Sequence, residues 1–143
     1  MTRSEFLDAR RNIRKELVAF ISIVMIGLLA ALAYLGDVVI ELCVRRYLVE
    51  SGIPDAGTLN AKALGFVSAH AQSAAVDRLM PVLTEEEEGW FKRGRNHTGA
   101  AVPKSSNPRD YRRATGMEVL FASLYVEGRT DRLDELFHIA YAV

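Results

Sequence analysis

Two acidic residues sit where an acid is costly. Asp37 ends a run of twenty uncharged residues, Leu17 to Gly36, and Glu118 lies within Gly116-Met117-Glu118-Val119-Leu120-Phe121-Ala122. An ionised carboxylate in such surroundings needs a cation, a hydrogen-bond network or water. Gly36 is a poor helix former that permits close backbone approach. Glu41, four residues beyond Asp37, shares its helix face. Two helices that each supply one inward acid can build an oxygen-ligand site for magnesium. Such a site can activate water for in-line displacement at phosphorus. The same pattern also suits acids neutralised by arginine, with Arg112 or Arg113 as the partner of Glu118.

A second feature is cationic. Between Gly89 and Met117 stand Lys92, Arg93, Arg95, Lys104, Arg109, Arg112 and Arg113 against Asp110 alone, although the whole chain has a formal net charge of +0. Polyanion binding depends on such a local footprint more than on a basic total. Within Lys92-Arg93-Gly94-Arg95-Asn96, the cations suit phosphates and Asn96 suits sugar or base edges. Gly94 suits close backbone approach to a ligand. A helix C-terminus that carries cations to complement its dipole is the alternative.

The bulk numbers narrow the class. The 143 residues fit one domain, and a chain 50% hydrophobic and 25% charged is globular. The lone Cys43 allows no internal disulfide and no cysteine-based zinc site, so it is expected to pack. His70, His97 and His138 lack metal-motif spacing and are read as ordinary residues.

These groups need helices to position them. The periodicity predicts helices over about 26–50, 59–80, 85–93, 109–127 and 131–141, in an all-α bundle. Ser51-Gly52-Ile53-Pro54 stops the first. Thr58 is expected to cap the second, and Thr84 with Glu87 forms a capping box for the third. The acid run 85–88 therefore reads as a helix start. Gly94 to Pro108, with Gly99 and Pro103, is expected as a long loop of the kind that carries function.

The N-terminal part is atypical. Residues 1–27 read as an extension with an apolar lead helix, and 28–143 as the domain proper. The uncharged run is long enough to span a bilayer, and Arg3, Arg10, Arg11, Arg14 and Lys15 precede it, as basic flanks precede anchors. A buried helix of a compact all-α dimer can look equally apolar. Because the run continues into Asp37 and Glu41 without a linker, a soluble cytoplasmic protein is the preferred expectation and membrane attachment the lesser one.

Three segments resemble the ribonuclease III family in its short form, Mini-ribonuclease III. Leu32-Ala33-Tyr34-Leu35-Gly36-Asp37 followed by Val38-Val39-Ile40-Glu41 is similar to the family signature. Lys92-Arg93-Gly94-Arg95-Asn96, then Pro103-Lys104, resembles its RNA-contacting loop. Tyr111 to Leu120, then Leu124-Tyr125-Val126-Glu127-Gly128, resembles its second acidic motif. Val67-Ser68-Ala69-His70-Ala71-Gln72 and Leu83-Thr84-Glu85-Glu86-Glu87 fit in the expected order.

The resemblance implies a helical ribonuclease III endonuclease domain that forms a homodimer and lacks a separate double-stranded-RNA-binding domain. It implies Asp37 as principal catalytic metal ligand, Glu118 as its partner, and Mg2+ as the cofactor, with no nucleotide cofactor. Lys92, Arg93, Arg95, Asn96, Lys104 and Arg112 are the implied RNA contacts. The implied reaction is cleavage of double-stranded RNA to 5′-phosphate and 3′-hydroxyl ends, on the stem of a 23S ribosomal RNA precursor. Two further acids of the longer enzymes correspond here to Ala33 and Thr115, and Glu41 is expected to be structural support. The chain departs from the pattern at Ile21 to Leu29, where a polar lead is usual, at Ile40 for an aromatic, and at His97 for a small residue. A non-catalytic helical RNA-binding or ribosome-associated protein, with or without a membrane anchor, is the alternative function.

Overall fold

The computed structural model describes residues 2–97 and 101–143. Among these it contains helices and no strand, in the order α1 (Arg3–Glu50), α2 (Ala56–Val67), α3 (Ala69–Leu79), a short 3-10 turn (Met80–Val82), α4 (Glu85–Arg95), α5 (Pro108–Val126) and α6 (Thr130–Tyr141).

α5 is the centre of the bundle and packs against α1, α3, α4 and α6. Its middle is apolar on every side, and Met117, Val119, Leu120, Phe121, Ala122 and Leu124 are all buried. A helix that is apolar all round must be enclosed, and here the other helices enclose it. The remaining core comes from Val39, Ile40, Cys43 and Val44 of α1, Val76 and Leu79 of α3, Phe91 of α4, and Leu136, Phe137 and Ala140 of α6. Cys43 packs as expected, and Ile40 fills a fully enclosed position.

Five boundaries differ from the sequence reading, each for a local reason. α1 starts at Arg3, not near Ile26, because Thr2 and Glu5 form a capping box and nothing between them and Ser51 breaks a helix. The single helix predicted over 59–80 is two helices. Ser68 is extended, and its side chain accepts from the backbone N–H of Ala71 at 3.2 Å, so its hydroxyl replaces the helical ladder. The cap of α2 is Asp55, not Thr58: Asp55 accepts from the N–H of Thr58 at 2.7 Å. α4 continues through Gly94 to Arg95, so the following loop is shorter than predicted. α5 begins with Pro108 after an Asn107 cap, a position where a missing N–H costs nothing. Gly99 lies outside the described residues.

The acid run 85–88 is the helix start that the sequence implied. Thr84 and Glu87 cap each other. Glu87 is also buried, and it receives two hydrogen bonds from Arg132, each 2.9 Å, which tie α4 to α6.

Candidate active site

Three glycines set the distance between the site-bearing helices. At Gly36 a Cβ would fall onto the backbone carbonyl of Glu118. Only a residue without a side chain lets α1 lie this close to α5, and that contact puts Asp37 beside Glu118. Gly94 and Gly116 do the same for α4 against α5. A Cβ on Gly94 would stand 2.8 Å from the Val119 side chain and 2.9 Å from the Thr115 carbonyl, and one on Gly116 would stand 2.7 Å from the Phe91 ring. The expectation that Gly94 serves a ligand is therefore corrected. It serves helix packing, since its missing side chain faces α5.

Asp37 and Glu118 open into one cavity of about 400 Å3, together with Ala30, Ala33, Tyr34, Val67, Gln72, His97, Tyr111 and Thr115. Among the described residues no lysine, arginine or histidine pairs with either acid. Arg113, one of the neutralising candidates, is committed elsewhere: it donates to Asp77 at 2.5 Å and to the Ser73 carbonyl at 2.9 Å. Burial, and secondarily the charge of Asp37, pushes the Glu118 carboxyl up to about 8. A carboxylate withdrawn from water beside a second acid, with no counter-charge, is the arrangement a divalent cation relieves. Oxygen donors alone suit a hard cation such as Mg2+. Among the described residues no group of three or more His, Cys, Asp or Glu gathers, and the acids that line this cavity are Asp37 and Glu118. Ala33 and Thr115 line the same cavity without contributing a charge. Glu41 bonds Arg45 at 2.6 Å, which fits a supporting role.

The cations divide into two groups. Arg95, Asn96 and Arg112 line a small hollow of about 190 Å3 that shares His97, Tyr111 and Thr115 with the acid cavity. The same three residues line a larger hollow of about 460 Å3, which Arg109 and Arg113 extend. The three hollows thus form one track, cationic at one end and acidic at the other. Lys92 and Arg93 line none of them. Lys92 pairs with Glu88 at 2.6 Å, and Arg93 stacks 4.9 Å from the Trp90 ring centroid. Lys104 is exposed on the loop before α5.

Several lining residues were not singled out by the sequence. Gln72 is buried in the acid cavity. His97, read from the sequence as ordinary, borders both the acid cavity and the smaller cationic hollow, and its Nδ1 is buried with no hydrogen-bond partner among the described residues. The signal for His97 was present: it directly follows the cationic motif and replaces a small residue.

These features define an all-α protein with an acid pair in a cavity that adjoins hollows lined by Arg95 and Arg112. The Ribonuclease III domain family matches residues 30–129. Among curated relatives, Mini-ribonuclease 3 of Symbiobacterium thermophilum is 44% identical over 109 residues, covering 76% of this chain and 84% of the relative. Mini-ribonuclease 3 of Brevibacillus brevis is 39% identical over 112 residues, covering 78% and 84%. Among solved structures, protein FN1578 from Fusobacterium nucleatum superposes with a TM-score of 0.67 at 29% identity, covering 76% of this chain and 86% of that one. The chain belongs to the ribonuclease III family, which makes it an endoribonuclease of that type, acting on RNA.

Proposed function

We propose that this protein is a Mg2+-dependent endonuclease for double-stranded RNA, working in the cytoplasm as a homodimer whose catalytic part is residues 28–143. The observation that carries the reading is the uncompensated pair Asp37 and Glu118 at the end of a track lined by Arg95, Arg112 and Asn96.

In this reading Asp37 and Glu118 hold Mg2+, with Asp37 the principal ligand. Bound there, the ion supplies a Lewis acid that activates water and offsets charge on the phosphoryl transition state. The chain's own residues do the rest. Gly36 holds the two carboxylates close. Arg95 and Arg112 hold phosphates of the duplex, and Asn96 reaches sugar or base edges across the shallow minor groove. Lys92, Arg93 and Lys104 add longer-range attraction from outside the track. The products carry 5′-phosphate and 3′-hydroxyl ends.

A two-fold dimer presents two equivalent sites, one for each strand. Val38 and Leu42 support this, since they are exposed on one face of α1 at the four-residue spacing of a helix surface. Leu42 also borders a hollow with Tyr125 of α5. In this reading the natural substrate is the stem of a 23S ribosomal RNA precursor, as the resemblance of the sequence motifs implies.

The test is incubation of purified protein with a duplex RNA, with and without Mg2+, followed by analysis of the cut ends. Cleavage only with the ion is expected. Asp37→Asn should lose cleavage and keep duplex binding in a mobility-shift assay, and unchanged cleavage by that variant would overturn the assignment.

A further inference from the structure

The half of α1 that precedes the bundle has no partner among the described residues. From Leu17 to Leu28 every residue is exposed, including Phe20 at 65% and Ile23 at 68%. Large apolar side chains stand at Leu17, Val18, Phe20, Ile21, Ile23, Val24, Met25, Ile26 and Leu28. Successive helical residues are a little over a quarter-turn apart, so these positions surround the axis and do not form a stripe. Pairing with a second copy covers one seam and leaves the other sides in water. Lying flat on a surface requires a polar side, which this segment lacks. A lipid interior covers all sides at once.

Length agrees. α1 is long and apolar enough to cross a membrane. Leu17 to Tyr34 rises about 26 Å along the helix, against a hydrocarbon core of about 30 Å. Local thinning, and snorkelling by Arg14 and Lys15, close a gap of that size. At the other end Tyr34 is 83% exposed, an aromatic with a hydroxyl at the depth where tyrosines concentrate.

We infer that residues 17–34 of α1 cross a lipid bilayer and hold the catalytic domain against its surface. Between Leu29 and Gly36 the helix passes from exposed to buried, so the last turns of the span meet the bundle on one side and lipid on the other. Asp37 lies one turn beyond Tyr34, so the acid cavity opens beside the headgroups. This inference is independent of the nuclease reading, because its test measures lipid partition and not cleavage.

The full chain is purified in mild detergent, mixed with neutral phosphatidylcholine vesicles, freed of detergent and floated on a density gradient. The wild-type protein floats, and stays with the vesicles in alkaline carbonate and in about 1 M salt, where charge attraction is screened. A Phe20→Glu/Ile23→Glu double variant stays at the bottom, its partition lowered by at least about a hundredfold, since each carboxylate is costly within the hydrocarbon. Its circular dichroism matches wild type, because neither residue touches the bundle. Three results overturn the inference: wild-type protein that is soluble without detergent and does not float; flotation only with anionic vesicles and lost in salt, which assigns the attachment to the basic residues 10–15; or a double variant that floats like wild type. A mature mass lacking residues 1–33 overturns it as well, by making Ala31-Leu32-Ala33 a processing site.

Discussion

Glu87 and Glu118 are two glutamates withdrawn from solvent on neighbouring helices, and their surroundings give them opposite fates. Glu87 is 1% exposed. It is held on three sides by Arg132, Arg129 and the cap of α4, and the Arg132 hydrogen bonds keep its carboxyl below the usual range. Glu118 has no cationic partner among the described residues and faces a second acid, and burial with that neighbour pushes its carboxyl up to about 8. Burial alone therefore does not mark a functional acid. A buried acid with its counter-charges in place ties helices together, while one that lacks them is stabilised when a ligand brings the charge.

Glu118→Gln makes the largest break in this contrast. Cleavage should fall on the order of 10⁴-fold, as for other essential catalytic groups, with the fold intact. The variant also exposes a pH effect. The folded carboxyl titrates at about 8, above its ordinary 4.5, so its neutral form supports the fold fully below the ordinary value. That support is lost as pH rises through about 8. In metal-free buffer the wild-type melting temperature should therefore decline between pH 5 and pH 9, on the order of the linkage expected for one such group, and the variant should not share that component. Identical slopes for the two proteins would remove Glu118 from the role.

Gly36→Ala comes next. The added methyl must displace α1 from the Glu118 backbone, a clash that costs about 3 kcal/mol or more. Little soluble protein is expected, and what folds should cleave poorly; a variant with wild-type melting and activity would mean that the helices need not lie so close.

Glu87→Gln sharpens the contrast from the other side. Leaving Arg132 with a weakened partner should cost about 2–3 kcal/mol of stability by denaturant titration, somewhat less than a fully buried pair, because the arginines are partly exposed. The loss should be largest above the ordinary glutamate range and shrink in acid, since a lowered carboxyl contributes stability that disappears as pH falls through its folded value. Below the melting range the cleavage rate should match wild type; a large catalytic defect in the folded variant would blur the distinction between the two glutamates.

The smallest effect is expected in the track. Arg95→Ala should weaken duplex binding by about tenfold and flatten its salt dependence by about one phosphate contact. Titration at several salt concentrations checks this, and an unchanged slope would place the RNA elsewhere.

Much of the fold was legible because its signals are local. The Thr84–Glu87 capping box, the Gly52 stop and the apolar stripe of α6 each lie within a few residues, and the structure keeps them. The split at Ser68 was missed because a serine hydroxyl competes with the helix ladder over one residue only. The start of α1 was misplaced because its apolar segment has no periodicity and its true cap lies at Thr2. Asp37 and Glu118 stood out for one reason: an acid inside an apolar run is conspicuous wherever it pairs. Arg95 and Arg112 were visible as charges, but Lys92 and Arg93 look the same in sequence and line none of the hollows.

The order of charges and caps along the chain fixed which segments become helices and which acids are out of place, because those effects act between residues a turn or two apart. Only the tertiary structure decided that Gly36 brings Asp37 to Glu118, that Gly94 serves packing, and that residues 17–28 find no cover within the chain. Each of these depends on the approach of surfaces distant in sequence, and on whether a side chain or a vacancy lies between them.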